Sequence, residues 1–128
     1  MQVRLLEDAP RNERGGQVSR LLFTSALGSI NIAVTWVLAE PGSQQPLHAH
    51  ADSDQVYVLI RGRGLMIVDG AEEEVAAGSA ILIPAGAKHA IRNIGDEPLE
   101  YISATAPPFP AEISGDTWQP GYERSSEL

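Results

Sequence analysis

The fold is predicted first from the stretch Gly42-Ser-Gln-Gln-Pro-Leu-His48-Ala-His50-Ala-Asp-Ser-Asp-Gln55-Val-Tyr-Val-Leu-Ile-Arg-Gly62. Its two histidines are one residue apart, so they lie on the same face of an extended segment, where side chains alternate with period two. Gln55 then opens the apolar run 56–60, which predicts a buried strand. The stretch therefore places two imidazoles shortly before a core strand.

The remaining histidine lies in a second stretch, Gly78-Ser-Ala-Ile-Leu-Ile-Pro84-Ala-Gly86-Ala-Lys-His89-Ala-Ile-Arg-Asn93. The chain has three histidines in all, and the two stretches hold every one of them. A lone histidine on an apolar face is more often a core residue than a ligand. Because all three histidines of the chain lie in these two stretches, a metal site is favoured. We interpret them as imidazole ligands of one metal, with Gln55 as a candidate fourth ligand.

Composition narrows the class of protein. The length of 128 residues predicts one domain, and the hydrophobic fraction of 43% is typical of a globular chain. The net charge of −8 argues against nucleic acid as a partner. No apolar run approaches the roughly 18 residues of a membrane span, and the acidic start does not resemble a signal peptide. We therefore expect a cytoplasmic protein that binds neither nucleic acid nor membrane.

The chain contains no cysteine, which excludes disulfides, thiolate metal sites and cysteine nucleophiles together. A metal would therefore be bound through nitrogen and oxygen atoms. Such sites accept nickel, zinc, iron, manganese, cobalt or copper, so the sequence predicts one divalent transition metal without naming it.

Short strands dominate the predicted secondary structure. The segment 30–38 is the clearest strand, because five large apolar residues alternate along one of its faces: Ile30, Ile32, Val34, Trp36 and Leu38. Turn residues follow at short intervals, and Asp69-Gly70 is a two-residue hairpin signal. About eight or nine strands with almost no helix predict a β-sandwich or a β-barrel.

The two stretches read G-x5-H-x-H-x4-Q-x6-G and G-x5-P-x-G-x2-H-x3-N, with fifteen residues between Gly62 and Gly78. In order and spacing they resemble the two motifs of the cupin superfamily, over residues 42–93. The resemblance implies an all-β cupin barrel, also called a double-stranded β-helix or jelly roll, with a metal inside its wider mouth. Carried over residue by residue, it assigns the ligands, which are His48, His50, Gln55 and His89.

We expect the whole chain, residues 1–128, to form a single cupin domain. We expect an N-terminal arm at 1–16, the barrel at 17–106 and a proline-containing tail at 107–128, in which Trp118 and Tyr122 are large anchors. A homodimer is expected from the resemblance, with the arm or the tail crossing between subunits.

Gln55 departs from the family pattern, which usually has glutamate there. Strand parity favours Gln55 over the adjacent Asp54 as the ligand, because Gln55 shares a face with Tyr57 and Leu59. Glutamine binds through a neutral carbonyl oxygen, so the metal would keep its full charge, act as a stronger Lewis acid and attract anionic substrates. The alternative is a polar interior residue that hydrogen-bonds to water or to a ligand histidine.

Other candidates for chemistry are few. No histidine is left over, so a general base would be a carboxylate, a tyrosine or metal-bound hydroxide. Tyr57 is the first catalytic candidate, because its parity places it on the ligands' face, although a core aromatic explains it equally well. Candidate substrate-binding residues are Arg20, Trp36, Met66 and Ile91. Arg20 could pair with a substrate carboxylate, and core packing explains the other three equally well.

These observations predict a divalent-metal enzyme that acts on a small polar or carbonyl-bearing molecule by isomerisation, cyclisation or lyase chemistry. An Fe(II) dioxygenase with the same ligands is the alternative among enzymes. A non-catalytic cupin that binds a metal or a small molecule, such as a sensor, is the alternative in another class.

Overall fold

Antiparallel strands make up nearly all of the regular structure. The structure is a computed structural model that describes residues 1–108. Within this range the strands are β1 (Arg11–Arg14), β2 (Gln17–Phe23), β3 (Ala33–Ala39), β4 (Asp54–Arg61), β5 (Arg63–Val68), β6 (Ala71–Ala76), β7 (Ala80–Ile83), β8 (His89–Asn93) and β9 (Leu99–Ala106). The helices of residues 1–108 are two single 3-10 turns, Leu6–Asp8 and Ser25–Leu27, and no helix there is long and apolar enough to cross a membrane.

The strands form two sheets that share one core. The larger sheet has the order β1-β2-β3-β9-β4-β7 and the smaller one β6-β5-β8, with antiparallel pairing throughout. Tyr57, Leu59 and Tyr101 of the larger sheet belong to the same buried cluster as Met66 and Ile91 of the smaller sheet. The predicted all-β jelly-roll barrel is confirmed.

The strand boundaries agree with the sequence patterns to within a few residues. The largest difference is at β3, which begins at Ala33 and not at Ile30. The predicted hairpin at Asp69-Gly70 is present, since Val68 pairs with Ala71 and both turn residues have positive φ, 48° and 84°. Positive φ at both central residues is the requirement of the type I′ turn, which matches the twist of the flanking strands.

β3 turns its large apolar side chains to the outside of the sheet. Its large alternating residues do not face the core: Ile32 and Leu38 are exposed, and Trp36 is only half-buried. The buried side of the strand consists of small or medium residues instead, with Val37 at 3% exposure. The barrel interior is already filled by histidine and tyrosine rings, so it has little room for large residues on β3.

The predicted arm contains β1, which pairs with β2 at the edge of the larger sheet. Of the predicted tail, only Pro107 and Pro108 belong to the described residues, so Trp118 and Tyr122 lie outside them. The domain boundaries therefore stay a prediction.

We predict that Gly62→Ala destabilises the fold by at least about 2 kcal/mol, since a side chain there combines left-handed strain with a clash. Gly62 has φ +90°, and a Cβ would lie 2.7 Å from the carbonyl oxygen of Pro98. Gly78→Ala is the matched control, because Gly78 has φ +94° but no neighbour within 4 Å. Equal losses of unfolding free energy in urea titrations of both variants would contradict the close-approach argument.

Candidate metal centre

Backbone pairing joins the two histidine stretches. The amide of His48 donates to the carbonyl of His89 over 3.0 Å, and the amide of His89 donates back over 2.7 Å. This reciprocal pair is an isolated bridge between the segment before β4 and the start of β8. His50 lies two residues further on the same side, and its carbonyl accepts from the amide of Gly86. The pairing thus brings all three histidines to one place.

The three rings converge inside the barrel. The ring centroids of His48 and His89 are 4.1 Å apart, and His50 is 5.1 Å and 5.6 Å from them. All three residues are buried, and their candidate ligand nitrogens lie within 4.8 Å of one another. Ligands of one metal are separated by roughly 3 to 4 Å, so small side-chain rotations suffice to close the site. The cluster can hold a metal ion.

Hydrogen bonds to the backbone set the proton on two of the rings. Nδ1 of His48 lies 2.8 Å from the carbonyl oxygen of Pro46, and Nδ1 of His89 lies 2.9 Å from that of Ala87. A carbonyl oxygen only accepts, so each Nδ1 carries the proton and each Nε2 keeps its lone pair. This is the tautomer that binds a metal through Nε2.

Six buried side-chain atoms of residues 1–108 have no hydrogen-bond partner, and two of the six belong to predicted ligands. They are Nε2 of His89 and Oε1 of Gln55. A buried polar atom without a partner is costly, and an ion that it coordinates removes that cost. Both orphan atoms are therefore the kind of donor that a metal at this position would use.

The orientation of Gln55 follows from its neighbours on β9. Its Nε2 donates to Ser103 Oγ over 3.3 Å and to Thr105 Oγ1 over 3.1 Å, which leaves Oε1 as the unpartnered atom. Gln55 pairs with Thr105 across the sheet and lines the same cavity as His48 and His50. Ser103 and Thr105 thus orient the amide with its carbonyl oxygen available as a ligand.

The electrostatic environment keeps His48 and His89 neutral. Burial lowers the pKa of His48 from 6.5 to about 2, and the neighbouring His89 adds to the lowering. Burial likewise lowers the pKa of His89. The residues that line the cavity include no carboxylate within the described range. A divalent ion held by these neutral groups would keep its full charge.

The cavity beside the histidines is small, with a volume of about 40 Å³. Such a space holds only a few water molecules. It is enclosed by residues of β3, β4, β9 and the segment before β4, which are Thr35, Val37, Gln45, His48, His50, Gln55, Tyr57, Tyr101, Ser103 and Thr105. Only a small ligand, or the small end of a larger one, fits next to the histidines.

Tyr57 lies in the wall of this cavity, 2% exposed, with its ring 4.8 Å from that of Tyr101. Buried Gln45 connects the two phenols: its Oε1 accepts from the amide of Ile91 over 3.2 Å, so its Nε2 faces both hydroxyls. The distances to Tyr57 and Tyr101 are 3.4 Å and 3.2 Å. Gln45 thereby fixes the position of Tyr57, which strand alternation places on the same face as Gln55.

Sequence reasoning missed several of these residues. Tyr101, Ser103 and Thr105 alternate along β9 with period two, which is a signal that they share an inward face. Gln45 gives no such signal, because it lies outside the strands and its contacts come from distant parts of the chain.

The four residues predicted to bind substrate lie elsewhere. Arg20 and Trp36 face each other across β2 and β3 and line a cleft of about 590 Å³ on the outside of the larger sheet. Met66 and Ile91 pair across β5 and β8 and are buried in the apolar core. None of the four lines the small cavity. Arg20 and Trp36 lie on the outward side of their strands, whereas Ile91 shares the inward face of β8 with His89 and Met66 pairs with Ile91. Substrate contact by these four residues stays a prediction.

Comparison with known proteins indicates the family to which the chain belongs. A family model described as "Cupin domain" matches residues 35–105. The chain is 31% identical over 120 residues to the oxalate decarboxylase OxdC of Bacillus subtilis, covering 90% of this chain and 31% of that protein. It is 28% identical over 113 residues to the polyketide synthase CurC of Streptomyces cyaneus, covering 88% of this chain and 73% of CurC. The chain thus spans less than a third of the oxalate decarboxylase.

A solved structure agrees with this result. The crystal structure of BH2720 from Bacillus halodurans superimposes with a TM-score of 0.66 at 35% sequence identity, over 70% of each chain. The family model covers more than half of the present chain, including both histidine stretches. The chain therefore belongs to the cupin domain family.

Proposed function

We propose that this chain is a metal-dependent cupin that binds one divalent transition metal through His48, His50, His89 and Gln55. The observation that carries the proposal is the pair of buried, unpartnered donor atoms, Nε2 of His89 and Oε1 of Gln55, on separate strands of one barrel. A metal bound there would supply Lewis-acid chemistry, the polarisation of a carbonyl or carboxylate oxygen.

The substrate class follows from charge and size. All four proposed ligands are neutral, so the centre would carry a net positive charge and favour an anionic or strongly polar molecule. The cavity of about 40 Å³ restricts the reacting end to a few atoms. We propose a small carbonyl-bearing or carboxylate-bearing substrate and isomerisation, cyclisation or lyase chemistry. Two relatives named as an oxalate decarboxylase and a polyketide synthase support this choice.

Tyr57 is the proposed acid-base residue. The cavity lining offers two phenols and, within the described residues, no carboxylate. The ring of Tyr57 lies 6.1 Å from that of His89, and its hydroxyl is held near Gln45. A phenol in this position can donate a proton to, or accept one from, a substrate bound at the histidines.

Non-catalytic binding of a small molecule is the second candidate function. It is favoured by the small cavity, and by the absence of a carboxylate base from that cavity's described lining. A binding module needs only the positive centre and a fitting shape, whereas an enzyme also needs a residue that moves protons.

A turnover assay separates the two functions. We expect zinc-loaded protein without oxygen to exchange the methyl protons of pyruvate in D₂O, seen as loss of the methyl signal in proton NMR, or to convert oxalate in H₂O to formate and CO₂, seen as a new formate signal. Tyr57→Phe should retain ligand binding and lose about 100-fold or more of the rate. Tyr101→Phe is the matched control, because it also removes a hydroxyl bonded to Gln45.

Saturable binding of these acids without any conversion would contradict the enzyme and favour the binding module. Conversion that occurs only with iron and oxygen would contradict the non-redox chemistry. An unchanged rate in Tyr57→Phe would remove the proposed role of that tyrosine.

The neutral histidines predict a pH dependence of stability in the metal-free protein. Because the pKa of His48 lies below its ordinary value of 6.5, the unfolded chain takes up a proton below that pH while the folded chain does not. Stability should therefore be constant above about pH 6.5 and fall below it, by up to about 1.4 kcal/mol per pH unit for each such histidine.

Urea denaturation of chelator-treated protein between about pH 7.5 and about pH 5 tests this, since most carboxylates stay ionised there. His48→Asn should reduce the slope, because it removes one buried group that titrates only in the unfolded state. A wild-type stability that stays flat across this range would contradict the lowered pKa values.

A further inference from the structure

The hydroxyl groups of Ser103 and Thr105 each have a proton that the contact with Gln55 does not use. Gln55 Nε2 donates to both oxygens, over 3.3 Å to Ser103 Oγ and over 3.1 Å to Thr105 Oγ1. The amide nitrogen of glutamine only donates, so both hydroxyls are acceptors in these two bonds. Each hydroxyl also carries one proton, and that proton cannot be directed at the amide that donates to it.

Neither proton has an acceptor in the part of the chain that the structure describes. Over residues 1–108, the side-chain hydrogen bonds of Ser103 and Thr105 are the two that they accept from Gln55. Both residues are buried, at 8% and 5% exposure, and both line the cavity beside the histidines. A buried hydroxyl is usually satisfied as a donor too, so a ligand in the cavity is the partner that these protons could find.

Strand pairing holds the two hydroxyls on the side of the barrel where the metal ligands lie. Thr105 pairs with Gln55 and Ser103 pairs with Tyr57 across β9 and β4. Residues two positions apart on a strand have side chains on the same face, so Ser103 and Thr105 are adjacent donors on one wall of the cavity.

We infer that Ser103 and Thr105 form a site that donates two hydrogen bonds to an anionic oxygen of the substrate. The inference rests on the proposed function, because it takes the substrate to be bound in the cavity beside the histidines. Hydrogen bonds to a charged oxygen are roughly twice as strong as those between neutral groups, so two adjacent donors favour a carboxylate. The cavity's described lining includes no carboxylate that would compete for these protons. The substrate class is therefore a small carboxylate.

Gln55 determines the direction in which the two hydroxyls donate. A carboxylate only accepts, so a glutamate at this position would accept the protons of Ser103 and Thr105. The amide of Gln55 donates to both hydroxyls instead, and their protons stay available to the cavity. A hydroxyl that accepts a hydrogen bond also becomes a stronger donor, because bonds in a chain polarise one another. The glutamine that departs from the family pattern thus creates the donor pair.

Titration of formate into zinc-loaded full-length protein, followed by NMR of ¹³C-formate, tests the inference. Thr105→Val and Ser103→Ala each remove one donor and leave the other hydroxyl to orient Gln55. We expect each variant to weaken formate binding by about 10-fold or more, since a hydrogen bond to a charged group is lost, with the zinc content unchanged. The matched controls are Thr24→Val and Ser19→Ala, which remove buried hydroxyls that do not line the cavity.

A double-mutant cycle with Gln55→Glu tests the direction of the protons. We expect Gln55→Glu to weaken formate binding, because its carboxylate accepts both hydroxyl protons. Adding Thr105→Val to Gln55→Glu should then cause little further loss, whereas it causes about a 10-fold loss when Gln55 is present. An equal loss in both backgrounds would overturn the inference, since Thr105 would then act by packing and not by its proton.

Two other results would also overturn the inference. The first is an unchanged formate affinity in both Thr105→Val and Ser103→Ala, and the second is an equal loss of affinity in the two control variants. A wild-type protein that takes up no zinc would contradict the proposed function instead. Formate binding to that metal-free protein would then support the hydroxyl site if it depends on Thr105, and its absence would overturn this site as well.

Discussion

The candidate site depends on the reciprocal backbone pairing of His48 with His89. Two amide–carbonyl hydrogen bonds of 3.0 and 2.7 Å hold together segments that are forty-one positions apart in the chain. Because paired residues of an antiparallel bridge direct their side chains to the same side, this pairing makes the two rings converge. His50 joins them by the two-residue period of an extended chain, and Nδ1 hydrogen bonds then leave the Nε2 lone pairs of His48 and His89 available.

The same alternation divides the larger sheet into two surfaces with different roles. Inward positions of this sheet hold Gln55, Tyr57 and Tyr101 next to the histidines, which leaves room only for residues such as Thr35 and Val37 on β3. The larger apolar side chains of that strand are consequently on the outside, where Trp36 hydrogen-bonds to Glu100. The larger sheet thus contributes polar side chains to the cavity, while the rest of the shared core is apolar.

Most of the fold and the candidate ligand positions could be predicted from the sequence, but not the details that depend on strand pairing. Spacing within the two stretches sufficed to group the three histidines and Gln55, and Asp69-Gly70 sufficed to place a hairpin. The sequence does not predict which side of β3 is buried, because apolar residues occur on both of its faces. The side that is buried depends on the rings that fill the barrel interior. Gln45, which contacts both tyrosines, depends on distant residues, so no local pattern reveals it.

Elemental analysis of bound metal tests the central claim, that the three histidines and Gln55 form one metal centre. We would compare wild type, His89→Ala, Gln55→Ala and the control Gln44→Ala, an exposed glutamine near the same stretch, all purified without chelator. The account predicts about one metal per chain in wild type and Gln44→Ala, less in Gln55→Ala and none in His89→Ala. No metal in wild type after supplementation with several divalent ions, or full retention in His89→Ala, would contradict it.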